Sequence, residues 1–129
     1  MDTTMTDETT LVTTTRAPST GGAVRIRGLR PNDARYVLAQ CIIAAQSRGE
    51  ACAVVSALPE SPAMWERAGV VVGRLLLSTP DHAAMAQEIV ETLVRSGAVG
   101  VVIVRGYAEM GPAIEALAHR TATRLIYAD

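Results

Sequence analysis

The chain has 129 residues, 12 basic and 13 acidic side chains and a formal net charge of −1. That length suits one domain with a real core, and a charge near zero argues against a polybasic binder of nucleic acids or membranes. Every basic residue is arginine, which excludes the phosphate-binding, Schiff-base and general-base chemistries that need lysine.

Residues 1–22 differ from the rest in composition, because nine of them are threonine and few are large and apolar. Such a segment buries too little apolar surface to offset the entropy of ordering. We therefore expect a disordered tail at 1–22 and one domain at 23–129. The acidic start is unlike a signal peptide, and no apolar stretch reaches the roughly 20 residues of a membrane span. These features predict a cytoplasmic protein that does not bind membranes.

Strand and helix signals alternate along the rest of the chain. In order, they predict strand 24–27, helix 33–47, strand 51–56, helix 62–68, strand 74–78, helix 81–96, strand 99–104, helix 112–119 and strand 123–127. Continuous apolar strands separated by amphipathic helices indicate a parallel sheet covered on both faces. The sequence thus predicts an α/β fold with three layers, α/β/α, around a five-stranded parallel sheet.

Particular residues mark the helix boundaries and the core. Asn32 or Asp33 is expected to cap the first long helix, and the segment 79–81 is expected to start the third. Met85 and Met110 are read as core residues. Cys41 and Cys52 have no metal-ligand spacing, so both are expected to be reduced thiols in apolar surroundings.

Several short motifs together resemble the ATPase core of the bacterial RecA recombinase family from about residue 24 to residue 104. The most specific is Arg95-Ser96-Gly97-Ala98-Val99, which enters an apolar strand. The other matching positions are Ala44-Ala45-Gln46, Gly49, Cys52-Ala53, Leu75-Leu76, Ser78, Pro80-Asp81 and 101–104. The resemblance implies the strand order 3-2-4-5-1, with the fourth strand central.

The chain departs from that family where the family binds ATP. The P-loop pattern G-x-x-x-x-G-K-[ST] falls on 28–35, where Gly28 remains but Asp33, Ala34 and Arg35 replace glycine, lysine and the hydroxyl residue. Arg105 stands where the magnesium-binding acid is expected. The catalytic glutamate would align with Leu58, and only a shifted gap would align it with Glu60. The resemblance therefore implies a P-loop NTPase fold without a functional P-loop, no cofactor or metal, and no enzymatic activity.

The resemblance also implies that the DNA-binding loops of the family have no counterparts here, since residues 106–122 are too short to hold one of them. We therefore do not expect RecA-style DNA binding.

An arginine cluster near the first strand is a candidate partner surface. Arg25 and Arg27 alternate along 24–27 and so share one face, with Arg30 nearby. Such a cluster suits a phosphate group or an acidic partner, but it equally suits an edge strand that resists aggregation. Trp65 is a further partner-binding candidate, although packing at the edge of the core explains it as well. The first strand is expected to lie at a sheet edge, where a partner strand or a second copy of the chain can pair with it.

These observations predict a non-catalytic RecA-like accessory protein of the DNA-damage response, similar to ImuA-type proteins that assist translesion synthesis or recombination. The alternatives are a cell-division inhibitor of the SulA type, which binds FtsZ, and a regulator that caps RecA filaments. The expected partner is accordingly the polymerase assembly, RecA or FtsZ.

Overall fold

The computed structural model describes residues 21–128. Most of the expected tail therefore lies outside the described residues. The strands are β1 (Gly22–Ile26), β2 (Ala51–Ser56), β3 (Leu75–Ser78), β4 (Val99–Arg105) and β5 (Arg124–Ala128). The helices are α1 (Pro31–Ser47), α2 (Pro62–Arg67), α3 (Ala83–Ser96) and α4 (Pro112–Arg120), and one turn of 3-10 helix covers Val72–Arg74.

All five strands form one parallel sheet in the order β1-β5-β4-β2-β3. This is the order 3-2-4-5-1 read from the other edge, so the expected topology and the central place of the fourth strand are confirmed. Within the described residues β1 and β3 are the two edge strands. The α/β/α architecture is also confirmed.

Helices cover both faces of the sheet, because alternate residues of the strands point to opposite sides. On one face α1 and α2 pack on the sheet through Leu38, Ile42 and Trp65, all of which are fully buried. On the other face α3 and α4 pack through buried residues such as Val90 and Ile114. The two cores hold the strands rigidly, so the residues that follow the strands keep fixed positions.

The ends of two helices differ from the expectation. Helix α1 begins at Pro31, and the residue at its N-cap, Arg30, makes no side-chain cap bond, so neither Asn32 nor Asp33 caps it. Proline suits a first helical position because the missing N–H is not needed there. Helix α3 begins at Ala83 rather than within 79–81.

Helix α3 is capped by the side chain of His82, which accepts a hydrogen bond from the backbone N–H of Met85 at 3.2 Å. The expectation that Met85 fills the core is wrong, since it is exposed, whereas Met110 is buried as expected. The buried face of α3 is formed by Ala86, Val90 and Val94, and Met85 lies beside it on the exposed side.

The boundary between tail and domain also differs from the predicted one. Gly21 is buried, and Gly22 begins β1 and donates its N–H to the carbonyl of Thr123 at 3.0 Å. These two glycines therefore belong to the folded domain and not to the tail. Within the described residues no helix is long and apolar enough to cross a membrane.

Candidate functional site

A cleft of about 190 Å³ opens at the carboxyl ends of β2 and β4, beside the first turns of α1. Its walls are formed by Arg35, residues 56–60, Arg105 and Gly106. Ligands of open α/β sheets bind in the crevice outside the carboxyl ends of the strands. The position of this cleft makes it the first candidate for a functional site.

A buried ion pair crosses the cleft from β4 to the segment that follows β2. Nη1 of Arg105 lies 2.9 Å from Oε2 of Glu60, and the two side chains are only 11% and 8% exposed. Such a pair is held in place by its surroundings, because separating either charge from its partner is costly in a poorly hydrated site. The guanidinium that replaces the expected acid is therefore matched by a carboxylate.

Glu60 is held by two further hydrogen bonds. The hydroxyl of Ser56 donates to Oε2 at 2.9 Å, and the indole N–H of Trp65 donates to Oε1 at 3.2 Å. Trp65 itself is fully buried, so its assignment as a partner-binding residue is wrong. Its indole anchors Glu60 from the core side, which is the use that a buried tryptophan N–H commonly finds.

The backbone at the floor of the cleft is also fixed. The N–H of Ala57 donates to the carbonyl of Arg105 at 2.9 Å, and the N–H of Gly106 donates to the carbonyl of Ala128 at 3.2 Å. Gly106 has a φ of +81°, and a Cβ there would lie 2.8 Å from Cβ of Ala57. The chain can therefore leave β4 in this direction only with glycine at 106.

The segment that aligns with a P-loop does not form a phosphate-binding loop. Because α1 begins at Pro31, Asp33, Ala34 and Arg35 all lie inside the helix. The N–H of Ala34 is bonded to the carbonyl of Arg30 at 2.8 Å and is not available to a phosphate. Asp33 is exposed and Ala34 is buried. These residues do not fit a nucleotide with its magnesium ion, since they provide no lysine and no hydroxyl residue, and the amide of Ala34 is already bonded.

Arg35 of α1 reaches the same cleft as the ion pair. Among the described residues its side chain has no hydrogen bond or ion pair, and its Nε is buried without an acceptor. Nε of Arg105 is likewise buried without an acceptor. The cleft therefore holds two guanidinium groups and one carboxylate, and part of its donor capacity is unused.

Arg25 of β1 and Arg27, which follows the strand, lie at a second place, with Arg25 on the face of the sheet that α4 covers. Arg25 lies 3.0 Å from Glu109 and stacks over the ring of Tyr127 at 5.2 Å, with its side chain only 15% exposed. Arg27 is 66% exposed and lies 3.9 Å from the same carboxylate. Arg25 is thus committed to an internal network, and Arg27 and the exposed Arg30 remain surface charges.

Tyr127 joins this network to the loop before α4. Its hydroxyl donates to Glu115 at 2.7 Å and accepts from the N–H of Met110 at 3.0 Å. Burial, and after it the hydrogen bond to Glu115, raises the pKa of the Tyr127 hydroxyl. Tyr127 therefore stays neutral and holds the loop that carries Glu109.

Sequence reasoning missed the roles of Glu60 and Glu109. The signal for Glu60 was present, because an acid follows β2 and a base ends β4, and parallel neighbouring strands end at one edge of the sheet. Glu109 gave no such signal, since it lies in a loop of no regular pattern. Within residues 21–128 no group of three or more histidine, cysteine or acidic side chains is placed to hold a metal ion.

Residues 16–123 match the family model of the RecA N-terminal domain. The RecA protein of Rhodopseudomonas palustris is 40% identical over 96 residues, which are 74% of this chain and 28% of that protein. RecA of Marinobacter nauticus is also 40% identical over 96 residues, with the same coverage. The chain thus spans little more than a quarter of the length of these relatives.

Among solved structures, SulA from Pseudomonas aeruginosa matches with a TM-score of 0.62 at 19% sequence identity. The match covers 86% of this chain and 98% of the SulA chain. At this level of identity the likeness concerns the fold alone.

Proposed function

The chain belongs to the family of the RecA N-terminal domain, and from that premise we propose that it is a non-catalytic accessory protein of the DNA-damage response. It acts by binding another protein and thereby assists translesion synthesis or recombination. The observation that carries the proposal is the Glu60–Arg105 ion pair, which lies across the cleft at the carboxyl ends of the strands. A guanidinium there repels a magnesium ion, which needs oxygen ligands.

The start of α1 supports the same proposal. Its first turns are helical where a P-loop leaves backbone amides free for phosphate, and Asp33 adds a negative charge. Without the loop, the lysine and the acid, neither the binding nor the hydrolysis of ATP has its usual groups. A RecA-like domain without these groups can still present its surface to other proteins, and we place its function there.

The strand β1 is the proposed contact surface. It is an edge strand of the described sheet, so its outer N–H and C=O groups face away from β5 and can pair with a strand of a partner or of a second copy. Arg27 and Arg30 are exposed beside this edge and favour an acidic partner.

The proposal has two tests. Calorimetry of the full chain with ATP and magnesium should show no binding heat, and a dissociation constant in the micromolar range would overturn the non-catalytic assignment. Affinity capture with the full chain as bait, from cells treated with a DNA-damaging agent, should then retain a polymerase assembly or RecA. Direct binding to purified FtsZ instead would establish the alternative, a division inhibitor of the SulA type.

A further inference from the structure

The cleft beside α1 has more donors than its own acceptors can satisfy. Arg35 has no partner among the described residues, and the buried Nε atoms of Arg35 and Arg105 both lack an acceptor. In native proteins nearly all buried polar groups are hydrogen-bonded, so an exception of this kind asks for a missing partner. Since the guanidinium of Arg35 lines the cleft without a carboxylate of its own, the partner that suits it is an anion.

The charges of the cleft agree with this reading. One carboxylate, Glu60, faces two guanidinium groups, and it is already bonded to Arg105, Ser56 and Trp65. A planar guanidinium presents its N–H groups as a fork that matches the two oxygens of a carboxylate. A second carboxylate can therefore bind Arg35 while the first one remains with Arg105.

The size and the mouth of the cleft limit what that anion can be. The cleft volume of about 190 Å³ equals the space of about six water molecules at about 30 Å³ each. A carboxylate on a short aliphatic side chain fits this volume. Leu58 at the mouth is 73% exposed and offers apolar contact beside the charge. An acidic side chain next to an apolar one can contact both the charged cleft and Leu58. A free ion can contact only the charged cleft.

We propose that this cleft is a receptor for a glutamate or aspartate side chain of a partner protein, bound by Arg35 and flanked by an apolar side chain on Leu58. The inference rests on the proposed function, because it assigns the chemistry that a partner presents. It adds a second contact that lies apart from the edge of β1.

Two capped dipeptides test the chemistry without knowledge of the partner. Acetyl-Leu-Glu-amide and acetyl-Leu-Gln-amide differ only in the carboxylate, and inorganic phosphate and ATP with magnesium serve as free-anion probes. The readouts are the Nε–Hε signals of Arg35 and Arg105 by NMR and the emission of Trp65, the single tryptophan of the chain. Trp65 reports on the cleft because its indole is bonded to Glu60.

The glutamate dipeptide should move both arginine signals at millimolar concentration, and the glutamine dipeptide should not. Arg35→Gln should weaken this binding by about tenfold or more, since a hydrogen bond to a charged group is lost. Arg120→Gln, at an exposed position at the end of α4 and outside both the cleft and the edge of β1, is the matched control and should leave it unchanged. Thermal unfolding checks that both variants are folded.

Three results overturn the inference: no shift with the glutamate dipeptide, equal shifts with both dipeptides, or tighter Arg35-dependent binding of phosphate or ATP. A different result would show that the proposed function is wrong: the affinity capture would retain no protein partner. That result does not depend on whether the dipeptides bind. If a partner is captured and Arg35→Gln bait retains it fully, the cleft is not the contact and the inference alone fails.

Discussion

Glu60 and Arg105 lie 45 residues apart in the chain, and their side chains, only 8% and 11% exposed, meet at 2.9 Å across the cleft. The pair joins the segment after β2 to the end of β4. It also continues into the core, because Glu60 accepts the indole N–H of Trp65. The carboxyl edge of the sheet is thereby cross-linked by charge.

Removing one charge of this pair should be costly. Glu60→Gln leaves Arg105 buried without its counter-charge, and we expect a loss of about 3 kcal/mol in the free energy of unfolding. Glu91→Gln is the control, since Glu91 pairs with Arg95 on the exposed surface of α3 and should cost less than about 0.5 kcal/mol. Urea unfolding followed by tryptophan emission measures both. If Glu60→Gln lowers the free energy of unfolding as little as Glu91→Gln does, the cleft is hydrated in solution.

The edge of β1 can be tested with one exposed charge. Arg27→Glu should change stability by less than about 0.5 kcal/mol and should weaken binding of the captured partner and its dependence on salt. Arg67→Glu, exposed on α2, is the control and should bind normally. Arg25→Glu does not serve, because it places a second carboxylate beside Glu109 and removes the contact with Tyr127. Unchanged affinity of Arg27→Glu would remove β1 from the interface.

The two thiols should react slowly in the folded protein. Burial, with a smaller effect of Glu50, raises the pKa of Cys52 to about 11, and burial also raises the pKa of Cys41. Since the thiolate is the reactive form, iodoacetamide at pH 8 should modify the half-buried Cys41 slowly and Cys52 more slowly still. Both should react quickly in urea. Rapid modification of folded Cys52 would contradict its buried position.

The same pKa shift predicts how stability depends on pH. The folded-state pKa of Cys52 lies above its ordinary value of 9.0, so folding favours the protonated thiol. The contribution should be complete below about pH 9 and should disappear as the pH rises to about 11. Cys52→Ala should lose less stability than the parent across that window in paired urea titrations. An equal loss in both proteins would assign the alkaline effect to other groups.

A side chain at Gly106 should be more costly than one at Gly28. Gly106→Ala combines a φ of +81° with a Cβ that approaches Ala57 to 2.8 Å, and we expect a loss of about 2 kcal/mol. Gly28→Ala has a similar φ of +77° but no atom within 4 Å of its Cβ, so it should cost only about 1 kcal/mol. The difference between the two isolates the contact at the floor of the cleft. Equal melting temperatures would show that this contact relaxes.

The strand order was predictable because the motifs around 95–104 identify a family whose topology is fixed, and because 101–104 are apolar on both faces. The burial of Trp65 was not predictable from the sequence, because a helix of six residues has too few turns to define an inward face. Its hydrogen bond to Glu60 was not predictable either, although the acid after β2 and the base that ends β4 did signal the pair of Glu60 with Arg105. The start of α1 differed because Pro31 takes the first helical position after Arg30, which makes no cap bond, and the start of α3 differed because the cap is His82.

Strand β1 pairs with β5, so that Gly22 lies beside Arg124 across about a hundred residues of intervening chain. Of the five described strands, β1 is synthesised before the others and its neighbour β5 after them. Closing so long a loop is slow relative to local contacts. The pairing of β1 with β5 is therefore expected to form after the shorter-range pairing of β2 with β4.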